Sequence, residues 1–199
     1  MNLALFDFDG TITTHDTYTK FILSTTNRAR LVFGGVLLLP LVLLNKLGLF
    51  PSHILRPTVS WLAFAGVEET ELKAKAESFV SRYLPNVIRD DMLNKIKAHQ
   101  YSGDRVIVVS ASLSPYLEIW CQRLDIELIC SELAVKNGRF TGSYVNGDCS
   151  RQKKADLIAN KVALDTFKHI TAYGDTKEDH AMLNLADKCF YQGKLLTPE

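Results

Sequence analysis

Leu3-Ala4-Leu5-Phe6-Asp7-Phe8-Asp9-Gly10-Thr11 decides how this chain is read. Leu3 to Phe8 is an apolar run of strand length, interrupted by Asp7, and Asp9-Gly10-Thr11 is a turn. Two carboxylates two residues apart on a strand leaving a sheet repel each other unless something cationic lies between them. Outward from this stretch the same strand-then-turn grammar recurs. Arg105 to Val109 is a β-branched run ending in the small-residue turn Ser110-Ala111-Ser112, and Ile126 to Cys130 is a third apolar run. Ile170 to Tyr173 ends in Gly174-Asp175, and Cys189 to Tyr191 is expected to be the last strand. Helices are expected over Pro115 to Leu124, Lys153 to Val162 and Glu178 to Ala186, with a hairpin over Leu133 to Val145 turning at Asn137-Gly138. Strands alternating with helices imply an α/β fold whose mainly parallel sheet is covered on both faces.

Between Thr11 and Arg105 this rhythm stops. Thr17 to Leu23, Arg28 to Leu47, Pro51 to Phe64, Glu68 to Tyr83 and Val87 to Tyr101 all read as helical, with Pro40 and Gly34-Gly35 weakening the second. Residues 14–100 are therefore expected to be a helical cap domain inserted after the first strand, with 1–13 and 101–199 forming the core domain. The 199 residues, 47% hydrophobic and 23% charged, suit such an arrangement and exclude a disordered or collagen-like chain. A net charge of +1 argues for no nucleic-acid partner. Cys121, Cys130, Cys149 and Cys189 have no C-x-x-C spacing, so reduced thiols are expected and not a zinc site. The first apolar stretch is too short for a secretion signal, and a cytoplasmic location is expected.

The chemistry concentrates at strand ends. Asp7 and Asp9 follow one strand; Gly174-Asp175-Thr176-Lys177-Glu178-Asp179 follows another. In open α/β sheets ligands bind there. Several carboxylates converging on one crevice suit a hard divalent cation, Mg²⁺ above others. Ser110 closes a strand where its hydroxyl can donate to a phosphate oxygen, and Lys154 opens a helix where its ammonium can pair with a carboxylate or phosphate. An Asp nucleophile, a metal, a hydroxyl donor and a lysine together match phosphoryl transfer through an aspartyl-phosphate. Each residue alone has a plainer reading: a turn, a strand-to-helix connection, a cap, a solvated lysine. Their order along the chain carries the chemistry.

Those four motifs resemble the haloacid dehalogenase (HAD) superfamily, subfamily IB, whose best-known member is phosphoserine phosphatase. Asp7-Phe8-Asp9-Gly10-Thr11 is similar to its first motif, Val108 to Ser112 to its second, Lys154 to its third, and Gly174-Asp175 with Asp179 to its fourth. The resemblance implies a three-layer Rossmannoid core, a helical cap that closes over the site, and a Mg²⁺-dependent phosphomonoester hydrolase. It implies that Asp7 is the nucleophile and a metal ligand. Asp9 would be the general acid and base, binding metal through its backbone carbonyl, with Gly10 and Thr11 supporting. Ser110 and Lys154 would hold the phosphoryl group, Asp175 would be the third metal ligand, and Asp179 would support the metal waters or Lys154. Lys153 competes for the third motif, but the spacing from Cys149 favours Lys154. Asp16 is nearest to the acidic residue that binds the substrate amine in phosphoserine phosphatases; its plainer reading is a helix N-cap. The cap arginine of those enzymes falls on Thr58, with Arg56 two residues away and facing differently. Both departures speak against phosphoserine. His15 lies near the site, with a turn residue as its plainer reading, and His180 is expected on a helix surface.

Leu31 to Leu44 contains no charge, and eleven of its fourteen residues are Leu, Val or Phe. That is short of the ~18–20 residues that span a bilayer. A buried cap helix, a homodimer contact, or a peripheral membrane contact through residues 31–50 at the inner face of the membrane are the three readings. From Thr17 to Val67 there is no Asp or Glu, while Lys20, Arg28, Arg30, Lys46 and Arg56 give +5; the rest of the chain holds 18 basic and 22 acidic residues. The segment, including Leu37 to Pro40, is also similar in place and flavour to that of the phosphatidylglycerophosphatase C type. This looser resemblance implies a lipid headgroup phosphate such as phosphatidylglycerophosphate as substrate. The alternatives are a soluble phosphorylated metabolite, or a non-enzymatic membrane-surface module with a relic site. The intact Asp7, Asp9, Ser110, Lys154 and Asp175 speak against a relic.

Overall fold

A computed structural model describes residues 1–196. In chain order the elements are β1 (Leu3–Phe6), the inserted helices α1 (Thr17–Thr25), α2 (Arg28–Lys46), α3 (Ser52–Phe64), α4 (Glu69–Arg82) and α5 (Asp90–Tyr101), then β2 (Arg105–Leu113), α6 (Ser114–Arg123), β3 (Glu127–Ser131), β4 (Leu133–Lys136), β5 (Arg139–Tyr144), α7 (Arg151–Lys161), β6 (Ile170–Gly174), α8 (His180–Leu183), β7 (Lys188–Tyr191) and β8 (Lys194–Leu196). The large sheet has the order β3-β2-β1-β6-β7-β8, parallel except for β8.

All four side chains of β1 are fully buried, as a central strand covered on both faces requires. The alternation of a strand divides them. Ala4 and Phe6 join Val106, Val108, Phe21, Phe79 and Tyr116 in one core, which includes inserted helices. Leu3 and Leu5 join Ile107, Val109, Ile158 and Met182 in the other, under α7 and α8. The result is three layers. The neighbours of β1 lie on opposite sides, so a crevice opens at the carboxyl ends of β1, β2 and β6.

The insertion is tied to the core at more than its chain ends. Its two connecting segments run side by side through an antiparallel bridge between Thr13 and Ile88. The β4–β5 hairpin, with positive φ at both Asn137 and Gly138 as a type I′ turn demands, grips it from elsewhere. Phe140 and the Gly66–Val67 segment exchange backbone hydrogen bonds of 2.8 and 2.9 Å, and Arg139 pairs with Glu68.

Several expectations need correction. The first strand stops at Phe6, because Phe8 to Ile12 bends into a wide, irregular turn closed by Thr13 N donating to Phe8 O, with non-helical backbone at Asp9 and Gly10. Ser110 to Ser112 is not a turn: β2 continues through it to Leu113, with a register shift against β3. The expected helix over Glu178 to Ala186 is a 3₁₀ turn, Lys177–Asp179, and the four-residue α8, begun by a capping box between Thr176 and Asp179. Cys189 to Tyr191 is not the last strand, since β8 pairs with β7; three residues are too few for periodicity to register.

The apolar cap helix is not buried. Only Gly34 and Leu38 of α2 are buried, because α2 packs on α3 and, among the described residues, no further layer covers it. It also runs past the uncharged stretch to 19 residues, about 28 Å, and by length and composition it is long enough to cross a membrane. The four cysteines are free thiols, as expected.

Candidate active site

Burial and geometry first single out Lys154. It lies in the first turn of α7, and its side chain is only 2% exposed, whereas Lys153 is exposed. Its ammonium reaches back to the sheet and donates to Asp7 and Asp179, at 2.6 Å each. Burial opposes that charge, but the two carboxylates more than offset it and hold the lysine above its ordinary range. Asp7, just past β1, is buried, and burial pushes its carboxyl well above the usual carboxylate range despite Lys154.

Asp179 is held differently. Burial alone would raise it, but Lys154 and the backbone N–H groups of Asp175 and Thr176 hold it below the ordinary value. One of its oxygens takes the lysine; the other accepts from Asp175 N, Thr176 N and Thr176 Oγ1 at 3.0–3.1 Å. Asp175 follows β6, accepts from Thr11 Oγ1 at 3.0 Å, and is raised by burial. Gly10 sits against it with φ +83°, and a side chain there would strike the Asp175 carboxylate.

Carboxylate oxygens of Asp7, Asp175 and Asp179 lie within 4.8 Å of one another. Both Asp179 oxygens are already taken by donors, so Asp7 and Asp175 are the carboxylates with capacity left for a cation. Hard oxygen donors this close suit a divalent metal ion. The Asp9 side chain is not part of this cluster.

Asp9 faces the other way. One oxygen accepts from the N–H and hydroxyl of Thr17, at 2.6 and 2.5 Å, and the other accepts from the Ser112 hydroxyl. Tyr116 Oη lies 2.8 Å from Thr17 Oγ1 and completes the network. Burial raises the Asp9 carboxyl to about 6 against these donors. Thr17, Ser112 and Tyr116 were not singled out from the sequence. Ser112 carried a signal, since it lies two residues past Ser110 on one strand and so on the same face; Thr17 and Tyr116 carried none.

Asp7, Asp9, Gly10, Ser110, Lys154, Asp175 and Asp179 line one cleft of about 750 Å³. Asp16 reaches its wall but is exposed and N-caps α1 through Thr19 N at 3.2 Å, its plainer reading. His15 is also on the wall, exposed, with Nδ1 2.7 Å from Thr14 Oγ1. His180 lies on the surface against the Tyr191 ring. Thr58 is exposed, while Arg56 does enter the cleft. Its guanidinium is already engaged, with both Asp148 oxygens at 2.8 and 3.2 Å and with Glu178 at 2.7 Å.

The crevice at the topological switch point, lined by these carboxylates around a buried lysine, sits in a fold with known relatives. The family model for haloacid dehalogenase-like hydrolases matches residues 4–184, and the chain belongs to that family. Protein CicA of Caulobacter vibrioides is 24% identical over 196 residues, covering 96% of this chain and 85% of that protein. A protein of unknown function from Bordetella pertussis Tohama I superposes with a TM-score of 0.77 at 19% identity, over 94% of this chain and 88% of its own. A substrate-bound phosphoserine phosphatase gives 0.67 at 16% identity, over 96% and 85%. At these identities the structural likeness speaks to fold alone.

Proposed function

We propose that this chain is a Mg²⁺-dependent phosphatase that hydrolyses a phosphate monoester through an aspartyl-phosphate on Asp7, with a lipid headgroup phosphate such as phosphatidylglycerophosphate as substrate. An Asp7 carboxylate oxygen attacks phosphorus as the ester P–O bond breaks, and Asp9 gives its proton to the departing alkoxide. Water then attacks the phosphoryl group, Asp9 takes the water's proton, and the bond to Asp7 breaks to release phosphate. Ser110 and Lys154 hold the phosphoryl oxygens, and Asp179 and Asp7 hold Lys154 charged for that role. A Mg²⁺ held by Asp7 and Asp175, with the Asp9 carbonyl, would neutralise charge building on the phosphoryl group.

The observation that carries the lipid reading is the course of the cleft. From the carboxylates it continues between α1, α2 and α3 past Leu31, Leu38, Val42 and Leu55 to Asn45 and Lys46. An apolar wall of this length suits an amphiphile better than a small polar ester. The paired state of Arg56 also speaks against phosphoserine, whose carboxylate would have to displace two others. The deciding assay compares phosphatidylglycerophosphate in detergent with phosphoserine and other soluble esters. A higher kcat/KM on the lipid ester is expected; equal or better turnover of soluble esters overturns the lipid reading and leaves the phosphatase.

Asp9 also makes a prediction about stability. Its carboxyl rises on folding from 3.8 to about 6, so folding opposes its ionisation. The folded protein then loses stability as pH climbs from about 4 through 6 and stays lower above that. Asp9→Asn removes this penalty and the proton carrier together. Turnover should fall ~10²–10⁴-fold. Metal-free thermal unfolding at pH 8 should show the variant more stable by about 1–3 kcal/mol, with the gap closing near pH 4. A gap of the same size at both pH values would contradict the burial penalty.

A further inference from the structure

We infer that α2 lies in the interface of an anionic membrane, parallel to its plane, and docks the catalytic cleft against the bilayer. The inference rests on the fold and the charge pattern and does not require the hydrolysis proposed above. A helix on the surface of a protein that meets only water turns a charged side outward. Helix α2 has none. Its inner side lines the cleft. On its outer side Val32, Phe33, Val36 and Leu37 are 57–74% exposed, and Leu47 and Leu49 beyond its end extend the patch at 72% each. An apolar surface this continuous marks a contact with something other than water.

Two occupants fit an apolar strip, and charge separates them. No acidic residue occurs from Thr17 to Val67, and Arg28 and Lys46 stand exposed at the two ends of α2. A second copy of the chain would set one acid-free, basic strip against another. An anionic headgroup layer complements both features.

The same structure argues that α2 lies flat although it is long enough to cross. Helix α3 runs back along α2, so the two are antiparallel: Arg30 Nη1 donates to Ala63 O near one end, and Asn45 Nδ2 meets Ser52 Oγ near the other, both at 3.0 Å. Helix α3 is in turn fastened to the core by Arg56 through Asp148 and Glu178. A spanning α2 would carry the start of α3 across the bilayer and tear Arg56 from those carboxylates.

The test is flotation of the full chain with phosphatidylcholine vesicles, with and without phosphatidylglycerol, beside F33E/V36E and the uncharged F33S/V36S. Neither position lines the cleft, so circular dichroism and hydrolysis of a soluble ester should be unchanged in both pairs. The parent should float with the anionic vesicles and be released by alkaline carbonate. F33E/V36E should lose at least about tenfold in partitioning, and F33S/V36S should fall between. A parent that stays unbound on anionic vesicles, or a glutamate pair that floats as the parent does, overturns the inference. So does a vesicle-free dimer that F33E/V36E dissolves, which would make the strip a self-contact. Resistance to carbonate would make α2 a spanning helix. Flotation is read without any activity, so the phosphatase reading can fail while this one stands.

Discussion

Asp7→Asn should abolish Mg²⁺-dependent phosphatase turnover, by at least about 10⁴-fold, while the protein folds as before. The expected size follows from the role: without a carboxylate oxygen at that place no aspartyl-phosphate forms, and the remaining groups can only position ester and water. The fold should survive because asparagine keeps the shape and can still accept from Lys154. The relief of a buried charge and the weaker pairing with the lysine oppose each other, so thermal unfolding should move little. Acid quenching of the parent in mid-turnover should trap phosphate on the protein, and the variant should trap none. Full activity in Asp7→Asn would overturn the nucleophile and with it the reaction proposed for this site.

The largest effect on stability is expected at Lys154. Replacing it with methionine keeps most of the apolar stem and removes the charge, leaving Asp7 and Asp179 buried and facing each other. Breaking a buried pair in this way costs about 3–5 kcal/mol. For a chain of this size that is a fall in melting temperature of roughly 6–20 °C. The pH dependence identifies the cause. In the parent, Lys154 holds Asp179 below its ordinary value, a stabilisation present above the unfolded carboxylate pKa and lost as pH falls. In the variant both carboxylates resist ionisation, so it regains stability on acidification. The gap between the two proteins should therefore be widest near pH 8 and narrow toward pH 4. A gap independent of pH would mean that lost packing, and not unpaired charge, is responsible.

The layered core was legible because its signals are local. Leu3 to Phe6, Val106 to Val109 and Ile170 to Tyr173 are strand-length apolar runs ending in small or acidic residues, and the crevice follows from where they stop. Lys154 was legible through its place in the motif order and not through any local pattern. What escaped depends on contacts between distant segments. The network around Asp9 joins Thr17, Ser112 and Tyr116, which lie up to about a hundred residues from it. Arg56 looked like a misplaced substrate ligand until Asp148 and Glu178 came to meet it. The exposure of α2 was also hidden, since an apolar run reads alike whether another layer covers it or none does.

Thr17 belongs to the first inserted helix, while Ser112 and Tyr116 belong to the core. The Asp9 carboxyl is thus clasped by the first inserted helix and by the core at once. Lifting α1 would withdraw two of the three donors to Asp9 and leave it with Ser112 alone. For the proton transfer proposed above, the hydrogen-bonded setting of Asp9 is complete only while α1 stays seated on the core.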